Sequence, residues 1–369
     1  SIMKVITGEL KSGMELINTR TGKVEKLNKL IFLRGKTQID TQSASMGDIV
    51  AVPKLTYTET GDTLCDKSKS RTYVSLESPA PTLYTAVAPA KKGEEEKMGT
   101  GLARLREEDP SFVVRQDTET KQTLLGTQGE MQLGVIISKL KERFNVDVIT
   151  SPRKIAYRET IKGHSDVQGK HKKQSGGAGQ YGDVHIRFSP SHDKVLDFSE
   201  QLFGGSIPKN YVPAVEKGIV ECMEKGPLAG YPVVNIKAVL YDGSYHDVDS
   251  NEMAFKIAAS LAFKKGITEA NPVLLEPIMR LEIVIPDEYM GDVMGDMNRR
   301  RARILGMEPI GHGVQKLMAE APMAELLDYS IALRAMTQAK GSFTQEFLRY
   351  DEVPQHLATK IIAEANQNK

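Results

Sequence analysis

Residues 83–150 read LYTAVAPAKKGEEEKMGTGLARLREEDPSFVVRQDTETKQTLLGTQGEMQLGVIISKLKERFNVDVIT. Apolar residues recur at three- and four-residue spacing in two segments, which predicts two helices. Short apolar runs before, between and after these segments predict four strands. The predicted elements are strand 83–87, a helix with Met98, Leu102 and Leu105 inward, strands 112–115 and 123–125, a helix with Leu133, Ile136, Leu140 and Phe144 inward, and strand 146–150. This βαββαβ order predicts a ferredoxin-like domain over residues 82–152.

The same order returns nearer the carboxyl end and predicts a second ferredoxin-like domain over residues 276–352. Its predicted elements are strand 279–285, helix 287–298, strands 303–308 and 315–320, helix 323–336 and strand 342–347. The repeat is one of element order and not of matching sequence. A repeated fold carries no function by itself.

Short strands separated by glycines predict a partial β-barrel over residues 1–66. The predicted strands are 3–6, 15–18, 23–32 and 49–52. Because the chain opens directly on an apolar strand, we expect the barrel to lack its first strands. Segment 67–81 is rich in Ser, Lys and Pro and is predicted to be a linker.

Residues 153–275 combine long polar strands with two helices and predict an elongated α+β domain. Pro213 suits the first turn of one helix. Asp249 and Glu252 form a capping-box pattern that opens the other, with Ala254, Ile257, Ala258 and Leu261 expected inward. A last helix, 353–366, has no domain of its own and is expected to complete this one. The predicted fold class is therefore α+β, multidomain.

The overall composition excludes several classes of protein. The formal net charge is only +1, so any argument for nucleic acid must come from local charge. Cys65 and Cys222 match no metal-ligand spacing. No apolar run is long enough to cross a bilayer and the start resembles no signal peptide, so we expect a cytoplasmic protein without a membrane partner.

The segment QSGGAGQYG, residues 174–182, follows a basic run at 170–173. It satisfies G-x-G-x-x-G, but a nucleotide fingerprint needs a helix after it, and here a strand follows. The downstream motifs of a protein kinase are absent as well. A glycine-rich hairpin tip flanked by cations suits close approach to an RNA phosphate backbone. A solvated hairpin whose glycines only permit the turn is the alternative.

The segment DGSYHDVD, residues 242–249, is a second polar loop. His246 with Asp247 could be drawn as a metal or acid–base site, which would make the chain a metal-dependent hydrolase. One histidine with one spare carboxylate is too few ligands for such a site. An exposed Tyr245–His246 pair is better suited to stacking on unpaired bases.

Arginines 299, 300, 301 and 303 close a predicted helix. Cations complement the negative end of a helix, which is the ordinary explanation. Four arginines are more than the end of one helix needs, so a contact with RNA phosphate is an added hypothesis.

Four runs closely resemble bacterial translation elongation factor G. They are QSGGAGQYGDV (174–184), PLAGYPVVNIKAVLYDGSYHDVDSNEMAFKIAAS (227–260), NPVLLEPIMRLEIVIPDEYMGDVMGDMNRRR (271–301) and TGDTLCD (60–66). The resemblance is collinear and runs from about residue 3 to the last helix. It implies the second, third, fourth and fifth domains of that factor, with the terminal helix returning to the fourth.

In that family the fourth domain reaches the ribosomal decoding site, and its tip loops touch messenger and transfer RNA. The fifth domain lies near ribosomal RNA. The resemblance and the local charge together predict these RNA-binding residues: Lys172, Lys173, Gln174, Ser175, Gly176, Gly177, Ala178, Gly179, Gln180, Tyr181, Ser244, Tyr245, His246, Asp247, Arg299, Arg300 and Arg301. The implied partner is the ribosome.

The sequence also departs from the family. Ala178 stands where the pattern GGRGQYG has arginine, and in Gly129–Gly134 the pattern GELHLE reads GEMQLG, with Gln132 in place of histidine. These changes favour an elongation factor G-like paralogue. No phosphate loop and no guanine motif occurs in the sequence, so we expect no cofactor and no catalysis in this chain. A missing amino-terminal GTPase domain would hold GTP and Mg in the intact parent.

The sequence therefore predicts the ribosome-binding, carboxy-terminal portion of a translational GTPase that acts in translocation. A paralogue acting in ribosome recycling or ribosome protection is the alternative. A metal-dependent hydrolase is a more distant one.

Overall fold

The computed structural model describes residues 1–68, 71–75, 77–174 and 179–367. It divides into two compact units, one formed by Ser1–Asp117 with Lys121–Pro152 and the other by Thr118–Thr120 with Arg153–Lys369. Within the described ranges, no helix combines the length and apolar character needed to cross a membrane.

The first unit begins with nine short strands. They are β1 (Ile2–Lys4), β2 (Glu9–Lys11), β3 (Glu15–Asn18), β4 (Val24–Lys26), β5 (Leu30–Arg34), β6 (Thr37–Thr41), β7 (Ser43–Ser45), β8 (Ile49–Ala51) and β9 (Leu64–Cys65). Their sheets have the orders β1-β8-β5-β6, β2-β7 and β4-β3-β9 around one apolar core that includes Leu27, Leu30 and Val50. The described strands do not close into a barrel, in keeping with the partial barrel expected.

One expectation for these strands is wrong. Residues 23–32 form two strands, because buried Leu27 turns into the core, where its N–H donates to the Met14 carbonyl at 2.8 Å. Leu27 in turn accepts from the Gly13 N–H at 2.7 Å. Apolar content alone did not reveal this interruption.

Asp62, in the TGDTLCD run, ties the end of this region to β3. Its carboxylate accepts from Arg20 Nε at 2.5 Å, from Asn18 Nδ2 at 2.8 Å and from the Glu59 N–H at 2.8 Å. The Arg20 guanidinium is the main reason that the pKa of Asp62 is lowered to about 2. Folding therefore favours the ionised form of the Asp62 side chain.

We expect the stabilising effect of Asp62 to be fully present above its ordinary pKa of 3.8 and to be lost as pH falls through about 2. Asp62→Asn should therefore destabilise the first unit at neutral pH, and the difference from the parent should shrink steadily in acid. Thermal unfolding at a series of pH values measures this. Asp40→Asn is the control, since Asp40 makes an exposed pair with Lys29. A difference that is the same at every pH would contradict the assignment.

The rest of the first unit is ferredoxin-like, which confirms the predicted fold. Its elements are β10 (Leu83–Pro89), α1 (Glu95–Glu108), β11 (Val113–Asp117), β12 (Gln122–Thr127), α2 (Glu130–Phe144) and β13 (Val148–Pro152). The antiparallel sheet has the order β11-β12-β10-β13. The predicted inward residues Met98, Leu102, Leu105, Ile136 and Leu140 are buried in its core.

The second unit contains the α+β region and the second ferredoxin-like fold. The α+β elements are β14 (Arg158–Ile161), β15 (Ser165–Lys173), β16 (Gln180–Pro190), β17 (Leu196–Glu200), α3 (Val212–Met223), β18 (Ile236–Ser244) and α4 (Glu252–Glu269), with a 3₁₀ turn at Lys209–Tyr211. The sheet order is β15-β16-β18-β17, with β17 parallel to β18. Helices α3 and α4 pack on this sheet around Phe188, Phe255 and Phe263.

The second ferredoxin-like fold repeats the strand order of the first. It consists of β19 (Pro272–Pro286), α5 (Met290–Arg299), β20 (Arg303–Gly311), β21 (Val314–Pro322), α6 (Tyr329–Met336) and β22 (Ser342–Glu352), with 3₁₀ turns at Asp287–Tyr289 and Met323–Leu326. Its sheet runs β20-β21-β19-β22, and β14 extends it by pairing with the start of β19.

The last helix, α7 (Gln355–Gln367), packs Ala358 against Tyr157 and Leu274.

Candidate nucleic-acid interface

The hairpin formed by β15 and β16 lies directly on α4 because glycines remove the side chains between them. A Cβ atom on Gly169 would lie 2.1 Å from the Ala258 carbonyl oxygen, and one on Gly182 would lie 2.6 Å from the Ala254 carbonyl oxygen. No larger residue fits at either position without moving the helix backbone. These two glycines therefore set the hairpin's distance from α4.

Residues 245–251, which include the second half of the second polar loop (242–249), fold around the His246 side chain. Its Nδ1 atom accepts from the N–H groups of Val248 at 3.3 Å and Asp249 at 3.2 Å, while the His246 N–H donates to Ser250 Oγ at 2.8 Å. Asp249 Oδ2 is 3.6 Å from Nδ1, beyond hydrogen-bonding distance. An Nδ1 that accepts leaves Nε2 to carry a ring proton, so the half-exposed imidazole presents an N–H donor to the outside.

Asp249 clamps the two loops together. Its Oδ1 accepts from the Gly179 N–H at 2.9 Å, and its carbonyl oxygen accepts from the Tyr181 N–H at 2.9 Å. Ser250 Oγ donates to the Tyr181 carbonyl at 2.9 Å. The hairpin tip and the second loop thus form one end of the domain, held by these hydrogen bonds.

This arrangement corrects two expectations for α4. Asn251, and not Asp249, caps the helix, because its Oδ1 accepts from the Ala254 N–H at 2.9 Å. Leu261 is exposed and Ile257 is only half-buried, whereas Phe255, Ala259 and Phe263 are buried beside Ala254 and Ala258. Because Asn251 caps α4, the carboxylate of Asp249 remains available to bind the hairpin.

The predicted RNA-binding residues at this end divide into exposed and engaged groups. Lys172, Lys173, Gln174, Tyr245, His246 and Asp247 are exposed. Ser175, Gly176, Gly177 and Ala178 lie outside the described residues. Gly179 is buried under Asp249, and the Gln180 side-chain oxygen lies 2.9 Å from His171 Nε2.

Tyr181 and Ser244 are engaged within the protein. The Tyr181 hydroxyl lies 2.7 Å from Ser244 Oγ, which donates to Asp183 Oδ2 at 2.9 Å. Asp183 is 5% exposed and also accepts from Gln168 Nε2 at 2.8 Å. The RNA contact predicted for Ser244 stays a prediction, and in this structure its hydroxyl already donates to Asp183.

Sequence models of four elongation factor G domains match the chain in order. Domain 2 matches residues 1–67, domain III residues 78–152, domain IV residues 153–271 and the C-terminus residues 273–361. The chain belongs to the elongation factor G family. Both candidate loops lie in the part that matches domain IV.

A crystal structure of a protein from Thermus thermophilus is similar over 98% of this chain, with a TM-score of 0.84 and 42% sequence identity. The match covers 54% of the Thermus chain, so this chain spans about half the length of that protein.

The arginine cluster in the elongation factor G C-terminal domain is largely structural. Arg301 binds Glu276 through two hydrogen bonds of 2.7 and 2.9 Å, and Glu276 is 2% exposed. Arg300 pairs with Asp296 at 2.7 Å and with Asp328 at 2.6 Å. In this structure both guanidinium groups pair with carboxylates of their own domain, and the RNA contact predicted for Arg300 and Arg301 stays a prediction. Arg299 keeps a side chain that is 76% exposed.

Gln132, which replaces the histidine of the family pattern, joins the start of α2 to the loop after α1. Its Oε1 accepts from the Gln128 N–H at 2.8 Å, while its Nε2 donates to Asp109 Oδ2 at 3.0 Å and Ser111 Oγ at 2.7 Å. The departure from the family pattern in domain III is thus accommodated by a complete set of hydrogen bonds.

The described ranges contain no group of three or more His, Cys, Asp or Glu side chains that could hold a metal ion. At His246 the Nδ1 atom is already occupied by two backbone donors. Within the described part of the chain there is thus no cluster of side chains for the metal ion on which the hydrolase alternative depends.

Sequence reasoning missed the role of Gly169. The signal was available, since a glycine inside a strand of alternating residues marks a close approach of another backbone. Its partner on α4 could not be read from the sequence.

Proposed function

We propose that this chain is the ribosome-engaging portion of a translational GTPase, and that the tip of domain IV enters the decoding site during GTP-driven translocation. The observation that carries the proposal is the clamp at Asp249, which holds Gly179 and Tyr181 of the hairpin against the second polar loop, although the two segments are distant in sequence. Segments that are already held together lose less entropy when they dock.

The exposed groups on this surface suit RNA. Lys172 and Lys173 are adjacent cations that can neutralise phosphates, which is the main source of affinity for nucleic acids. His246 presents Nε2–H as a donor and its ring as a stacking face, and Tyr245 lies beside it with 44% of its surface exposed. The surface therefore offers charge, hydrogen bonding and stacking together.

Hydrolysis of GTP would be carried out by a GTPase domain of the whole protein. This sequence lacks the glycine-rich phosphate loop that cradles GTP and Mg, so its own residues would act mechanically by occupying the decoding site. The intact protein would work in the cytoplasm, where ribosomes are found. A paralogue that recycles or protects ribosomes would use the same surface without productive movement of transfer RNA.

Lys172→Ala with Lys173→Ala should weaken binding to small ribosomal subunits carrying messenger and transfer RNA. It should also make the slope of log affinity against log salt shallower by about one to two units, because fewer counterions are released. Affinity measured over a range of salt concentrations tests both effects.

The matched control is Lys264→Ala with Lys265→Ala, since these are also adjacent exposed lysines but lie near the other end of α4. The control should bind like the parent with an unchanged slope. Equal losses in the two double variants would count against a specific role for the tip.

A further inference from the structure

A third loop, residues 201–208, reaches the same end of domain IV. Strand β17 runs parallel to β18, with Glu200 opposite Leu240, so the chain leaves β17 toward the end where β18 meets the second loop. The Gln201 N–H continues this direction by donating to the Leu240 carbonyl at 2.8 Å.

The third loop is fixed to the second loop. Ile207 is 2% exposed, and a Cβ atom on Gly243 would lie 2.5 Å from its Cδ1 atom. Tyr211, just beyond, stacks on Phe255 with ring centroids 4.8 Å apart and donates its hydroxyl to the Ser250 carbonyl at 3.1 Å. The same segment 245–251 that holds His246 therefore also anchors the third loop.

Phe203 projects from this anchored loop with 84% of its surface exposed. Gly204 and Gly205 follow it with φ angles of +67° and +74°, a left-handed pair that residues with a Cβ rarely adopt. The turn is closed by the Ser206 N–H, which donates to the Phe203 carbonyl at 3.4 Å. The backbone is thus shaped to leave the ring outside the core.

A single exposed aromatic residue is ordinary on a protein surface. At this end of domain IV, however, Phe203 is accompanied by exposed Tyr245, Val248 and Met253, with exposures of 44%, 76% and 56%. Exposed Glu200 precedes the third loop and exposed Lys209 follows it, so the loop itself carries no cluster of cations for phosphates. An exposed apolar ring is suited to the uncharged face of a base, while the lysines of the hairpin are suited to the backbone.

We propose that Phe203 is a third RNA contact of the tip and stacks on an unpaired base, so that the third loop reads the nucleobase face while Lys172 and Lys173 hold the phosphates. This inference rests on the proposed function, because it needs the tip to meet RNA. It assigns a role to a residue outside the two loops described above.

The test compares Phe203→Ala, Phe203→Leu and Phe203→Tyr in binding to small ribosomal subunits carrying messenger and transfer RNA. Loss of base stacking should weaken binding by about 5- to 100-fold for both Ala and Leu, with Tyr close to the parent. Because no phosphate contact is removed, all three variants should keep the salt slope of the parent. Val195→Ala is the control, since Val195 is 60% exposed at the start of β17, away from the tip.

The outcomes separate this inference from the proposed function. Full affinity of Phe203→Ala, in a chain whose binding still depends on Lys172 and Lys173, would overturn only the role of Phe203. Full affinity of Phe203→Leu would show an apolar contact with a ribosomal protein and would also overturn the stacking role. If the parent chain itself did not bind, the proposed function and this inference would both fail.

Discussion

Glu159→Ala is expected to lower the free energy of local unfolding of domain IV by about 3 to 5 kcal/mol, because it leaves several buried N–H groups without an acceptor. Glu159 lies in β14 and is completely buried. Its Oε1 accepts from the N–H groups of Ala229, Gly230 and Tyr231 at 2.9, 3.0 and 3.1 Å. Its Oε2 accepts from the Leu228 N–H at 2.9 Å.

The segment around this carboxylate has no room for an alternative partner. A Cβ atom on Gly226 would lie 2.2 Å from Glu159 Oε2. The Glu159 backbone is also paired, donating to the Pro232 carbonyl and accepting from the Val234 N–H, both at 2.9 Å. Four consecutive N–H groups of the loop 226–231 therefore depend on this one carboxylate, and its loss should loosen the connection between α3 and β18.

Hydrogen exchange followed by mass spectrometry measures this effect region by region, which is preferable because a chain of several domains need not unfold in one step. The control is Glu282→Ala in β19, where the carboxylate makes an exposed 3.6 Å pair with Lys316 and should matter by less than about 1 kcal/mol. Unchanged protection of residues 226–236 in Glu159→Ala would show that the carboxylate does not organise this loop.

Gly169→Ala is expected to destabilise domain IV by about 2 to 3 kcal/mol, the usual cost of forcing an added group into a packed interface. The new methyl group would lie 2.1 Å from the Ala258 carbonyl oxygen and 2.6 Å from the Ala262 nitrogen, both of them helix backbone atoms. The hairpin and α4 would have to move apart. Such a movement should also strain the hydrogen bond between Gly179 and Asp249, so ribosome binding should weaken as well.

The matched substitution is Gly295→Ala on α5, where a Cβ atom would have nothing within 4 Å. There the same change should stabilise the helix by about 0.5 to 1 kcal/mol, since alanine restricts the unfolded chain more than glycine does. Denaturation and ribosome binding of the two variants provide the comparison. If Gly169→Ala were as stable as the parent, the close contact with α4 would not be a constraint on the fold.

Local apolar patterns predicted the burial of some helix side chains correctly and of others wrongly, and the difference has a physical cause. Met98, Leu102 and Leu105 were correctly placed inward, because a helix buried on one side repeats its apolar residues every three or four positions. Helix α4 buries Ala254, Phe255, Ala258 and Ala259 at four-residue spacing on one face, but it also carries the apolar Leu261 on its exposed face, so apolar content did not mark which face is buried. Leu261 was consequently misplaced.

Local sequence also failed to reveal the partners of several charged residues. Arg300 and Arg301 look like a free basic cluster in the sequence, yet their partners Asp328 and Glu276 are separated from them by more than twenty residues. Asp249 was assigned to a helix cap because capping is a local pattern, whereas its actual partner, Gly179, is distant in the chain. The partners Asp328, Glu276 and Gly179 each lie in a different part of the fold from the residue whose role was predicted.

Periodicity and motifs are properties of neighbouring residues, and they were enough to predict the α+β class, the two ferredoxin-like domains, membership of the elongation factor G family and the two polar loops of domain IV. Packing of the folded chain placed Asp249 between these loops and Gly169 against α4. It also placed Glu159 under the loop 226–231, Arg301 beside Glu276, and Phe203 in a loop at the same end of the domain. These placements depend on contacts between residues far apart in the chain. Such contacts follow from how strands and helices pack, which local sequence does not specify.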